Sequence, residues 1–184
     1  MRRILIAAFL LLPAVPTRAG EAPTLDFPAS YREWVYLSTG FDMTYNPAFA
    51  APNHHMFSNV FVNPEAYRAF LATGHWPDKT MLVLEIRGAS AMTSLNKAGS
   101  FQDVAVMGIE VHARDDERFP GGWGFFAFGG RAPADRMPDA ADCYACHQAH
   151  GAVDTSFAQF YPTLLPTAQA KGTLSDAYRR DMAK

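Results

Sequence analysis

The stretch Thr80-Met81-Leu82-Val83-Leu84-Glu85-Ile86-Arg87 decides how the fold is read. Side chains of a β-strand alternate between its two faces, so Leu82, Leu84 and Ile86 share one face while Met81, Val83, Glu85 and Arg87 share the other. One face is apolar throughout, which predicts a strand lying on a core. N-terminal to it, Phe57 to Val62 is rich in β-formers and reads as a second strand. Asn63-Pro64 closes that strand and supplies an N-cap followed by proline at the first helical position. A helix is therefore expected from Pro64 to about Thr73, with Tyr67, Phe70 and Leu71 on one face and Gly74 as its C-terminal cap. Trp76-Pro77-Asp78-Lys79 turns the chain into the opening strand.

C-terminal to Arg87, a polar connection from Gly88 to Gly99 leads to a strand over Val104 to Ala113. Its faces are Val104, Val106, Gly108, Glu110, His112 and Ala105, Met107, Ile109, Val111, Ala113, which leaves Glu110 in otherwise apolar company. A charged turn over 115–122 precedes an aromatic strand, Trp123 to Phe128. At the N-terminal end, Pro28 opens an expected helix to about Leu37, with Tyr31, Trp34 and Val35 at helical spacing and Gly40 ending it. Residues 41–56, with Asn46-Pro47, Pro52 and His54-His55, lack periodicity and read as a loop. Pro138-Asp139 starts a helix that Gly151 stops, 154–160 form a helical turn or two, and Ser175 caps a short helix over Asp176 to Met182. Strands without alternating crossover helices imply an α+β fold, an antiparallel sheet packed with a few helices.

The chain has 184 residues, 49% hydrophobic and 18% charged, which suits one globular domain with a sizeable core. A net charge of -2 gives no bulk attraction for nucleic acid or an anionic membrane. Met1-Arg2-Arg3, the apolar run Ile4 to Leu12 and the small residues up to Ala19 have the form of a secretory signal peptide over 1–19. The apolar run is too short to span a bilayer. The expectation is a single domain over 20–184, exported to the periplasm and free of the membrane after cleavage.

Both of the chain's cysteines lie in Cys143-Tyr144-Ala145-Cys146-His147, inside the expected C-terminal helix. A CxxCH places two thiols one helical turn apart, each able to add to a haem vinyl group, with a histidine next to them to ligate the iron. A thioredoxin-like redox pair belongs where a strand enters a helix, and only helix and loop signals surround this one. Zinc would require Cys143, Cys146, His147 and His150 to converge, yet residues seven apart on a helix are separated by ~10.5 Å along its axis. The expected cofactor is one covalently attached haem c, with Cys143 and Cys146 as attachment points and His147 as metal ligand. His147 would present Nε2 to the iron and give its Nδ1 proton to a carbonyl or water. The other axial position has two readings: a Met or His ligand, as in an electron carrier, or an open site for small molecules. His54 and His55 read as solvated loop residues and His112 as a strand residue near a sheet edge.

From Phe27 to Leu164 the chain resembles the cytochrome P460 family, which includes the cytochromes c′-beta. The resemblance is carried by Tyr31-Arg32-Glu33-Trp34, Val60 to Tyr67, Gly74-His75-Trp76-Pro77-Asp78 with Thr80, Gly108-Ile109-Glu110-Val111, Arg118-Phe119, Trp123-Gly124-Phe125-Phe126, the CxxCH and Phe160-Tyr161-Pro162. It implies a homodimer with one five-coordinate haem held through His147. Members with a haem-linked lysine directly before a strand glutamate oxidise hydroxylamine; here Leu84 precedes Glu85, and Lys79 lies five residues earlier, in the turn. The resemblance thus implies a member without the cross-linking lysine. Leu84, with Phe57 or Phe61, would cap an apolar distal pocket of the c′-beta kind that binds NO or CO, with a redox partner protein as a further expected contact. The family's distal carboxylate aligns with Glu110, which reads either as a proton-transferring catalytic group in the pocket or as a sheet residue that points to solvent or pairs with Arg114.

Overall fold

The computed structural model describes residues 22–45, 54–91 and 93–184. The expected signal segment 1–19 and the Asn46-Pro47 and Pro52 part of the first loop lie outside the described residues. The central sheet is antiparallel and follows chain order: β2 (Val35–Phe41), β3 (Met56–Val62), β4 (Met81–Ala91), β5 (Ser100–Arg114) and β6 (Trp123–Phe128). A small antiparallel pair, β1 (Thr24–Leu25) with β7 (Ala134–Asp135), forms a second sheet. Among the described residues four α-helices complete an α+β fold: α1 (Pro64–Thr73), α2 (Asp142–His150), α3 (Leu165–Lys171) and α4 (Asp176–Asp181).

Local chemistry accounts for the helix limits. Pro64 opens α1 where its missing N–H costs nothing, and Gly74 ends it at φ 80°, its N–H returning to the Phe70 carbonyl at 2.7 Å. The Ser175 hydroxyl accepts the Tyr178 N–H and so caps α4. The helix expected from Pro28 to Leu37 is a correction: only Tyr31–Glu33 turn, as a 3-10 helix, and the chain then enters β2. The Val35, Tyr36, Thr39 and Phe41 side chains favour an extended chain, and pairing with β3 satisfies the backbone there. Gly40 accordingly sits within a strand, where a Cβ would meet the Met43 sulfur at 2.5 Å. β4 also runs into the 88–99 connection as far as Ala91 and β5 begins at Ser100, ahead of the expected Val104, with register shifts around Arg87. α2 begins at Asp142, four residues after Pro138, and α3 was not foreseen.

The sheet has a core on each side. On one side Leu37, Val62 and Leu82 pack with Phe70 and Trp76 from α1 and its following turn, and with Tyr161, Leu164 and Ala168. On the other, Val83, Ile109, Val111, Phe126 and Phe128 pack beneath Tyr31 and Phe27. Glu85 is buried on this second side at 1% exposure. Its carboxylate accepts from the Tyr31 hydroxyl and from the Arg32 and Arg87 guanidinium groups. Burial pushes Glu85 up, but the bonds from Arg87 and Tyr31 and the charge of Arg32 outweigh it and hold the carboxyl below its usual range. Tyr31 is pushed up to about 12, by burial first and by its Glu85 bond second.

Glu85→Ala leaves two arginines and a tyrosine without their shared acceptor, so urea denaturation is expected to show a loss of ~3–5 kcal/mol, the range for breaking a buried ion pair. Because the folded-state value of Glu85 is depressed, its stabilisation is present above the usual glutamate value of about 4.3 and is lost as pH falls through the folded value. Wild type and variant should therefore converge in stability in acid, which a pH series of denaturation midpoints reads directly.

Candidate functional site

Beyond Leu82, the first side of the sheet stops being filled by side chains. Leu84 and Ile86 of β4 face a cavity of about 290 Å³. Register fixes what else faces it: Leu84 pairs with Val60 on β3 and Glu110 on β5, Leu82 with His112, and Ser58 with Ile86 and Gly40. All of these line the cavity, joined by Met56 and, from β6, Phe125. The opposite wall comes from His147 on α2 and from Ser156, Phe157, Phe160 and Tyr161 after it, while Met43 and Tyr45 close in from the loop after β2. Tyr45 rests on Phe157, ring centroids 5.2 Å apart.

His147 is held in one orientation and one tautomer. Asp142 in the first turn of α2 suits the helix dipole. The Tyr144 hydroxyl accepts the Phe125 N–H at 3.3 Å and donates to the Met137 carbonyl at 3.2 Å, tying α2 to β6. His147 Nδ1 lies 2.7 Å from the Thr155 carbonyl, which can only accept, so Nδ1 carries the proton and Nε2 keeps its lone pair. The ring stacks on Phe157 at 4.0 Å and meets Phe125 and His112 edge to face at 4.7 and 4.8 Å. Burial lowers its pKa to about 4, against the upward pull of the Thr155 bond, so the imidazole is neutral, the form that binds metal. Cys143 and Cys146 are free, half-buried thiols on the turn before it. Burial pushes both up, and the charge of Glu110 adds to the effect on Cys143.

Of the residues expected at the site, Leu84, Glu110 and His147 share the cavity. Glu110 does not pair with Arg114, whose guanidinium binds Asp116 and the Trp76 carbonyl. Glu110 lines the cavity while remaining solvent-exposed, and the part of its surroundings that is buried raises the carboxyl above the usual glutamate value. Phe57 and Phe61 do not join the site. Phe61 pairs with Val83 and Phe57 with Arg87, so both point to the far side of the sheet, Phe57 against Phe41 at 4.9 Å and Phe61 against Tyr31 at 5.6 Å. Lys79 is turned away, with Nζ 2.7 Å from Asp115. His150 binds Asp181 and His55 binds Asp42, each at 2.5 Å.

His112 is a second correction. β5 lies inside the sheet, and the ring is 6% exposed, stacked at 4.1 Å on Phe125 with neither nitrogen hydrogen-bonded. Burial, then the His147 charge, holds it well below the usual histidine value. Sequence reading also missed Met56, Ser58 and Val60, although their alternation was legible; only the register with Leu84 shows that this set, and not Phe57 and Phe61, faces inward. Met43, Tyr45 and Phe157 gave no periodic signal.

A neutral imidazole with Nε2 free at an apolar cavity and two free thiols one turn before it form a donor set that fits a haem attached at a CxxCH, with Glu110 on the cavity wall. Among the described residues no three His, Cys, Asp or Glu side chains cluster to hold a bare metal ion. A family model described as cytochrome P460 matches residues 28–158, from the 3-10 turn before β2 past His147. No curated protein matches the chain.

The raised value of Glu110 sets a pH test. An acid whose folded value lies above its unfolded one is penalised as pH rises from about 4.3 through the folded value. Glu110→Gln is therefore expected to match wild type in thermal midpoint in acid and to exceed it at neutral pH and above. Parallel melting curves across that range would refute the desolvated carboxyl.

Proposed function

The chain belongs to the cytochrome P460 family, a haem cytochrome family, and from that premise we propose an exported monohaem c-type cytochrome that binds small ligands, NO above all, at an apolar distal pocket. The observation that carries this reading is the His147 ring, with Nδ1 committed to Thr155 and Nε2 left for a metal at the cavity. Cys143 and Cys146 would form the two thioethers, and His147 the proximal ligand. When bound, the haem supplies an iron whose sixth position accepts a small ligand. Leu84, Ile86 and Val60 would disfavour water and polar competitors in that space, and among the described residues Glu110 is the carboxyl on its wall that would hold or release a proton. The expected setting is the periplasm, after removal of residues 1–19, as a homodimer served by a redox partner protein.

A second reading is an oxidoreductase acting on hydroxylamine or a related nitrogen compound. The elevated affinity of Glu110 for a proton favours it, since oxidation of such a substrate releases protons that a carboxylate must accept. Two features weigh for ligand binding instead. Leu84 stands where the cross-linking lysine of the oxidising members would be, and Lys79 is engaged with Asp115.

Cys143→Ser combined with Cys146→Ser is expected to yield protein that loses its haem on denaturation, read by haem staining of a denaturing gel. Peptide mass mapping of the wild type should show two thioethers and no bond to lysine; a haem–lysine bond would transfer the assignment to the oxidase. The ferrous optical spectrum should change on NO addition. A low-spin ferric spectrum with Met43, Met56 or a histidine as sixth ligand would defeat both readings in favour of an electron carrier.

A further inference from the structure

The carbonyl that holds His147 comes from a strained turn. Asp154 and Thr155 have φ of 47° and 59°, two successive left-handed residues without a glycine, and a β-branched side chain is a marked outlier there. Such backbone persists only where its surroundings impose it. Here the Asp154 carboxylate accepts the Trp76 backbone N–H at 2.8 Å and lies 3.0 Å from His75 Nδ1. Ser156 Oγ accepts the Trp76 indole N–H at 2.7 Å and donates to the Val153 carbonyl at 2.7 Å. Trp76 is itself in the core, 1% exposed and 4.4 Å from the Phe70 ring. Gly151 admits the returning chain, since a Cβ there would sit 2.7 Å from both the His147 carbonyl oxygen and the Thr155 carbonyl carbon.

We propose that Asp154, clamped by His75 and Trp76, is a positioning residue for the proximal ligand: it holds the left-handed turn that aims the Thr155 carbonyl at His147 Nδ1. The proposal rests on His147 being the haem ligand. The acceptor is main-chain, so no side chain of Thr155 tunes it; its distance and direction are set by the clamp. A firm Nδ1–H bond to this carbonyl makes Nε2 a stronger electron donor, and a loosened one makes it weaker. The clamp thereby ties the turn after α1 to the electron density at the iron, although the side chains of Asp154, His75 and Trp76 do not line the cavity.

The test uses the haem-loaded protein, with the iron–histidine stretching band of the ferrous state from resonance Raman and the haem midpoint potential as readouts. Asp154→Ala is expected to move the band to lower frequency and the potential to more positive values. Asp154→Asn keeps an acceptor for the Trp76 N–H and a residue tolerant of the left-handed region, and should stay near wild type. His75→Ala removes one exposed clamp donor with the core intact and should shift both readouts in the same direction by less. If Asp154→Ala fails to fold, His75→Ala decides by itself. Unchanged band and potential in the folded variants, even with a lowered melting temperature, would reduce the clamp to a stability element and overturn the proposal. A wild-type protein with bound haem but no iron–histidine band, or one whose band survives His147→Ala, would instead remove the reading of His147, and the proposal would fall with it.

Discussion

The pairing of Val60, Leu84 and Glu110 across three strands is the constraint on which the site depends. A strand sends neighbouring side chains to opposite faces, so this one register sorts every residue of β3, β4 and β5 between two environments. Leu84 and Glu85 show how complete the sorting is. Leu84 faces the cavity, while Glu85, one residue on, is buried on the far side among Tyr31, Arg32 and Arg87. A slip of one residue would bring the charged cluster into the apolar pocket and turn the pocket wall toward the N-terminal segment.

The opposite wall obeys a different logic. α2 delivers His147 to the cavity, but the helix alone leaves its ring free to rotate. Orientation comes from the segment that turns back after Gly151, which supplies the Thr155 carbonyl on one side and the Phe157 ring on the other. Bond and stack together fix tautomer and plane, and the aromatic surroundings keep the imidazole neutral. The cavity thus lies between an apolar sheet face and a firmly held nitrogen base, with Glu110 as the one carboxyl on its wall among the described residues.

Much of this was legible in residue patterns. The alternation of 80–87, the Asn63-Pro64 start and Gly74 end of α1, and the aromatic strand 123–128 are local signals, and the local structure follows them. The reading failed where a local preference was overruled by a neighbour: Tyr31, Trp34 and Val35 have helical spacing, yet β3 offers the chain from Val35 onward a partner, and the sheet prevails. His112 looked like a residue near an edge because nothing in a sequence says that β6 will cover β5. Phe57 and Phe61 were plausible caps by size and by closeness to Leu84, but strand parity turns them outward.

By itself the sequence determined the α+β class and the CxxCH motif with its histidine, because each is written in short-range spacing: period two along strands, one helical turn between the thiols, and adjacent residues at Cys146-His147. Tertiary structure alone decided which side chains meet. Register between strands, the return of 151–157 across α2 and the left-handed turn at Asp154-Thr155 are set by hydrogen bonds between residues far apart in the chain, such as Asp154 to Trp76, and no local pattern encodes those distances.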